Sequence, residues 1–192
     1  MRYDTGVGRK GRFSRRAFLR DAAWGAAALA CPFCVTAAEP DDPAAIEAAL
    51  PTAAPVKPLR PRKLLIFSLN VEYGGHRSIP TAEQAFTRMG QKTGAFETVV
   101  SRDPAVFQRE SLARFDAVFL NNTVGNLFTD PQLRKNLLEF VVGGGGLMGV
   151  HGASVAFLRW KEGGKEDWPE YGIMLGTRGA AHRAADEQVF MK

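Results

Sequence analysis

Cysteine is almost missing from this chain: Cys31 and Cys34 are the only two in 192 residues, paired as "CPFC". Nothing after residue 34 can close a disulfide or supply a thiolate nucleophile. Charge of one sign is scarce as well, once its distribution is considered. The formal charge is +5, yet seven basic residues (Arg2, Arg9, Lys10, Arg12, Arg15, Arg16, Arg20) face only Asp4 and Asp21 before residue 38. That segment carries the whole excess, and the chain from residue 39 onward is formally neutral. No basic patch remains to indicate nucleic acid. No apolar run is long enough to act as a stable membrane anchor. Paired carboxylates of the glycosidase kind are not evident, because Glu72 and Glu170 are the only near candidates. Histidine is sparse too, at His76, His151 and His182.

What the N-terminus does contain is an export signal. "SRRAFLR" at 14–20 resembles the twin-arginine motif, and the apolar stretch "AAWGAAALACPF" and the small-residue run "VTAA" at 35–38 follow it. A basic region, a short apolar region and an A-x-A-like site describe a cleaved signal over residues 1–38. The expectation is a periplasmic or secreted protein whose leader meets the twin-arginine export machinery. Such cargo is exported folded, which permits a cofactor or metal loaded beforehand. Cleavage near Ala38 removes both cysteines.

Residues 39–62 hold six of the eleven prolines and read as an extended tether. Order is expected from Lys63. "KLLIFSL" at 63–69 is a continuous apolar run, as in a parallel strand buried on both faces. Ser78 and Pro80 signal a helix start, with Ala82, Phe86 and Met89 at helical spacing up to Gly94. Further strands are expected at 96–102, 116–122 and 146–151, with a short helix over 104–114. Thr129-x-x-Gln132 and Asp167-x-x-Glu170, each with a proline in the first turn, read as capping boxes opening two more helices. "EQVFMK" at 187–192 reads as a fifth strand. Alternating strands and helices imply an open, mostly parallel α/β sheet. The chain stops in mid-strand, so residues 63–192 read as a domain that is incomplete at its C-terminus.

The most conspicuous motif is "GGGGLMGVHGAS" at 143–154. Its glycines fit G-x-G-x-x-G literally, but that fingerprint must follow a strand and open a helix. Here the glycines follow a helix and enter a strand, which suits a helix C-cap and a tight turn. Ligands of open α/β sheets bind beyond the carboxyl ends of the strands. That rule selects Asn70, Glu72, Tyr73 and His76 after the first strand, Asn121, Asn122 and Thr123 after the third, and His151 and Ser154 after the fourth. His76 and His151, joined by His182 or Glu72, could form an acid/base cluster or a divalent metal site such as zinc. Each histidine taken alone is equally at home as a solvated loop side chain. The asparagines also suit a simple strand-to-turn transition, and Trp168 and Tyr171 suit either a sugar-stacking wall or helix packing.

Four motifs in order, "GGHRSIP" (74–80), "VFLNNT" (118–123), "GGGLMGVHGAS" (144–154) and "DWPEYGIMLG" (167–176), resemble those of the ThuA-like, trehalose-utilisation family. The resemblance implies a three-layer sheet of flavodoxin-like or class I glutamine amidotransferase-like type. It also implies that His151 stands where the amidotransferase carries its elbow cysteine, and that His76, His151 and His182 are recurrent in the family. Val155 stands where many relatives carry aspartate. Without a cysteine the protein is not a glutaminase. The expected ligand is a carbohydrate, trehalose or another disaccharide or its keto derivative. His76 and His151 are the candidate catalytic groups, and Asn121, Asn122, Thr123, Ser154 and Tyr171 the candidate hydroxyl binders. A non-catalytic carbohydrate-binding domain is the alternative.

Overall fold

A computed structural model describes residues 42–160 and 164–179. The leader with its "CPFC" pair, the fifth strand expected at 187–192 and His182 lie outside the described residues. Among the described residues four strands form the sheet: β1 (Lys63–Phe67), β2 (Glu97–Ser101), β3 (Ala117–Asn121) and β4 (Gly146–Val150). All pairings are parallel and the order is β2-β1-β3-β4. This is the flavodoxin-like order, so the α/β expectation is met.

The helices are α1 (Pro43–Ala49), α2 (Ile79–Thr93), α3 (Arg109–Leu112), α4 (Pro131–Val142) and α5 (Pro169–Leu175). Two 3-10 turns, Pro104–Phe107 and His151–Val155, complete the set among the described residues. Helix α1 corrects the expectation of a wholly extended segment over 39–62. The Asp42 carboxylate accepts from the backbone N–H groups of Ala44 and Ala45, both at 3.0 Å. Pro43 occupies the first turn, where a missing N–H costs nothing. The helix is also docked: Ile46 and Leu50 are buried, and Lys92 Nζ lies 2.8 Å from a Glu47 carboxylate oxygen.

Both capping-box readings are corrected as well. Helix α4 is capped by Asp130, whose carboxylate accepts from Gln132 N at 2.8 Å, one residue later than expected. Helix α5 has no side-chain cap, because the Asp167 carboxylate accepts from Arg159 N at 2.8 Å instead.

Alternation along the strands divides the core between two faces. Leu65, Phe67, Val118 and Leu120 pack with Phe107, Leu112 and Leu137 from α3, α4 and the first 3-10 turn. Leu64, Ile66 and Phe119 face the other way, against Phe86 of α2. The central strands β1 and β3 are therefore covered on both sides, as their unbroken apolar runs require, while the outer strands β2 and β4 stay largely exposed. Beside the first face lies an aromatic group in which Phe157 meets Phe128, Trp168 and Tyr171 at ring separations of 4.9, 5.0 and 5.0 Å. The Arg134 guanidinium lies 5.7 Å from the Phe157 and Trp168 ring centres, within cation–π range. Trp168 and Tyr171 are packing residues here.

Asp116 clamps the opposite end of the sheet. Its carboxylate accepts from Lys63 N at 2.8 Å and Arg62 Nη1 at 3.0 Å, and it pairs with Arg60. The hydrogen bond from Lys63 is the main cause that holds its pKa below the ordinary carboxylate value, with the two arginines adding to it. A depressed carboxylate contributes stability above its unfolded pKa and loses it as pH falls through the folded value. The stability gap between wild type and Asp116→Asn, measured by urea unfolding, is accordingly expected to close as pH falls below the ordinary carboxylate range. A gap unchanged down to the acid limit would contradict this. Phe157→Ala is expected to cost roughly 3–5 kcal/mol in the same measurement, from lost burial and the cavity it leaves.

Candidate functional site

In a sheet of this order the chain turns one way from β1 to β2 and the other way from β3 to β4. The carboxyl ends of β1 and β3 therefore flank the point where ligands bind in such folds. Residues 68–78 leave β1 there and carry His76, residues 122–130 leave β3 with Asn122, and β4 delivers His151 beside them.

The loops are tied to each other by backbone bonds. Asn70 and Val124 form a parallel bridge, with Val71 N donating to Val124 O at 2.9 Å. Gly152 packs so closely that a Cβ would meet Val124 Cγ2 at 2.9 Å and Asn122 O at 3.2 Å. A side chain there would push the His151–Val155 turn off the β3 loop. Gly144, at φ 95, makes the left-handed turn between α4 and β4. The four glycines thus turn the chain, as the sequence reading had them do.

On this platform the two imidazoles come together. The rings of His76 and His151 are 4.6 Å apart between centres and inclined by 72°. Tyr73 stands on the far side of His76, its hydroxyl 3.5 Å from Nε2. His151 Nδ1 lies 2.8 Å from Asn122 Oδ1, an oxygen that also accepts from Gly152 N at 3.1 Å. The amide Nδ2 of Asn122 donates to Ser78 Oγ at 3.3 Å, and Ser154 Oγ donates to His151 O at 2.9 Å. Both Asn122 (φ 56) and His151 (φ 47) adopt left-handed backbone, which asparagine and histidine accept more readily than most residues. Burial is the first cause that lowers the His76 pKa, and the neighbouring charge of His151 is the second.

The remaining candidates are placed differently. Asn121 and Thr123 are fully buried, and Tyr171 is 2 % exposed. Asn121 Nδ2 donates to Ser68 Oγ and Ile79 O, and Tyr171 Oη donates to Ala153 O at 2.7 Å. In this structure these three build the floor beneath the histidines, where no sugar hydroxyl reaches them. Burial pushes the Tyr171 phenol well above its ordinary value. Glu72 does not join the imidazoles: its carboxylate pairs with Lys165 Nζ at 2.6 Å. Two imidazoles supply half of a tetrahedral zinc shell. Among the described residues no third histidine or carboxylate completes it, and His182 lies outside them. Ser78 and the Gly152 N–H were not foreseen as site groups, since only the folded loops bring them to Asn122. A concavity of about 820 Å³, lined by Lys57, Arg60 and Gln91 among others, lies at the strand N-termini, away from the histidines. No helix among the described residues is long and apolar enough to cross a membrane.

The lowered pKa of His76 gives a direct test. Because its folded value lies below the unfolded one, His76 contributes stability fully above the ordinary histidine range. That contribution is lost as pH falls through the folded value. His151→Ala removes one cause, so the His76 ring protons, followed by NMR, are expected to titrate at higher pH than in wild type. A titration that stays put or moves down would contradict the contact.

The pattern of the ThuA family, described as trehalose utilisation, matches residues 63–191. None of the curated proteins matches. Among solved structures, a protein described as ThuA-like from Bacteroides uniformis aligns at 15 % identity with a TM-score of 0.42, covering 63 % of this chain. The chain spans only 46 % of the length of that protein. The matched residues run from the first residue of β1 through all four strands and both histidines of the site, and the chain belongs to the ThuA family.

Proposed function

We propose that this protein is an exported member of a carbohydrate-utilisation system that acts on trehalose, another disaccharide or a keto derivative of one. The observation that carries the reading is the contact between His76 and His151 at the ligand-binding end of the sheet. Two imidazoles in contact supply a proton acceptor and a proton donor within reach of one small molecule, or two nitrogen ligands to a divalent metal. Family membership supports the link to disaccharides, and the lack of any cysteine after residue 34 fits chemistry other than glutaminase. His76 and His151 are the groups that act. Ser154 and Tyr73 stand at the surface beside them to meet hydroxyls, over a floor of Asn121, Thr123 and Tyr171. The leader supports passage through the twin-arginine machinery to the periplasm or beyond.

The full chain incubated with plain and oxidised disaccharides should give turnover that falls by 10²–10⁴-fold in His76→Ala and His151→Ala, the range expected for losing an acid/base group. Metal analysis of the same samples separates the two roles: bound zinc in wild type that is lost in the double variant assigns the histidines as ligands. Saturable sugar binding with no histidine-dependent turnover would replace the enzyme by a binding domain. Neither binding nor turnover of any disaccharide tested would sink the carbohydrate reading.

A further inference from the structure

The geometry points to Asn122 as a positioning residue that fixes His151 in its Nδ1–H tautomer and leaves Nε2 as the free, lone-pair-bearing nitrogen. A carboxamide can be turned either way, so its orientation needs a partner of known polarity. Gly152 provides one. Its backbone N–H can only donate, and it points at Asn122 Oδ1 from 3.1 Å. The oxygen is therefore the acceptor. His151 Nδ1 approaches that same oxygen at 2.8 Å, so it must carry the proton. In the neutral ring the proton on Nδ1 leaves Nε2 without one. Among the described residues no protein group hydrogen-bonds to Nε2, and His151 is exposed.

The other end of the amide agrees with this assignment. With Oδ1 so oriented, Nδ2 faces Ser78 Oγ at 3.3 Å, an oxygen able to accept. Every polar atom of the Asn122 side chain is then satisfied at a residue only 6 % exposed. The reverse orientation would set Nδ2 against the Gly152 N–H and leave two buried donors facing each other. The left-handed backbone at Asn122 and His151 is the conformational cost that brings these atoms together, and strain of this kind collects at functional sites.

The consequence for chemistry rests on the proposed function. With Nδ1–H tied down, Nε2 can take a proton from a sugar hydroxyl or bind a metal. Such an oxygen behind the imidazole is the usual outer partner of a working histidine. The assignment of the proton itself needs no substrate.

Its test is the pair of nitrogen shifts of His151 in the full chain, read by long-range proton–nitrogen NMR at a pH where the rings are neutral. His151→Ala identifies the signals. A pyrrole-type shift at Nδ1 with a pyridine-type shift at Nε2 is expected, the reverse of what free histidine prefers in water. Asn122→Leu should return His151 to the Nε2–H form, whereas Asn122→Asp, which keeps the acceptor, should hold Nδ1–H. A pyridine-type Nδ1 in wild type overturns the proposal whatever the variants do, and so does an unchanged tautomer in a folded Asn122→Leu. Should the leucine variant fail to fold, the wild-type and Asn122→Asp spectra decide alone. Loss of the carbohydrate reading would leave these spectra unchanged, and a reversed tautomer would leave any sugar turnover intact, so the two failures are distinguishable.

Discussion

Parallel pairing of β1, β3 and β4 forces three chain segments to leave the sheet at one end. Phe67 is level with Leu120, and Leu120 with Gly149, so the loops after them start at nearly the same height. Buried apolar runs hold that register, because a slip of one residue would turn Leu65 and Phe67 from one helical layer to the other. The histidines are brought together by this geometry and not by any attraction of their own. Two imidazoles in contact repel once both are charged, and that opposition adds to burial, the larger cause, in lowering the pKa of His76.

Strands β1 and β3 were legible because burial on both faces leaves an unbroken apolar signature, and the ligand-binding end followed from the parallel order alone. What failed to show in the sequence was local competition between neighbouring polar groups. Proline density over 39–62 hid a helix that Asp42 caps and that Lys92 and Ile46 hold in place. Asp130 displaced Thr129 as a cap because its carboxylate reaches the N–H of Gln132. Asp167 was drawn away from the helix that follows it by Arg159 and Arg178.

Depth at the site was equally hidden. Asn121, Asn122 and Thr123 are consecutive, and strand alternation says which face each takes but not how far below the surface it lies. The strand ends on Asn121, whose amide Nδ2 is spent on Ser68 and Ile79 beneath the loops. Asn122 itself adopts left-handed backbone, and its side chain reaches His151 and Gly152 beyond β4. One residue separates an asparagine that stitches the floor from one that grips a histidine. Only the bend between them, made by the fold, tells the two apart.

Asn122 also explains why the site tolerates a histidine at a position of such tight backbone. Residue 151 must turn at φ 47 so that Gly152 can press against the β3 loop. A hydrogen bond from Nδ1 to the same oxygen that accepts from Gly152 N ties the ring to the turn itself. Ring orientation and backbone conformation are thus held by one atom. With Glu72 committed to Lys165, no carboxylate among the described residues joins the imidazoles.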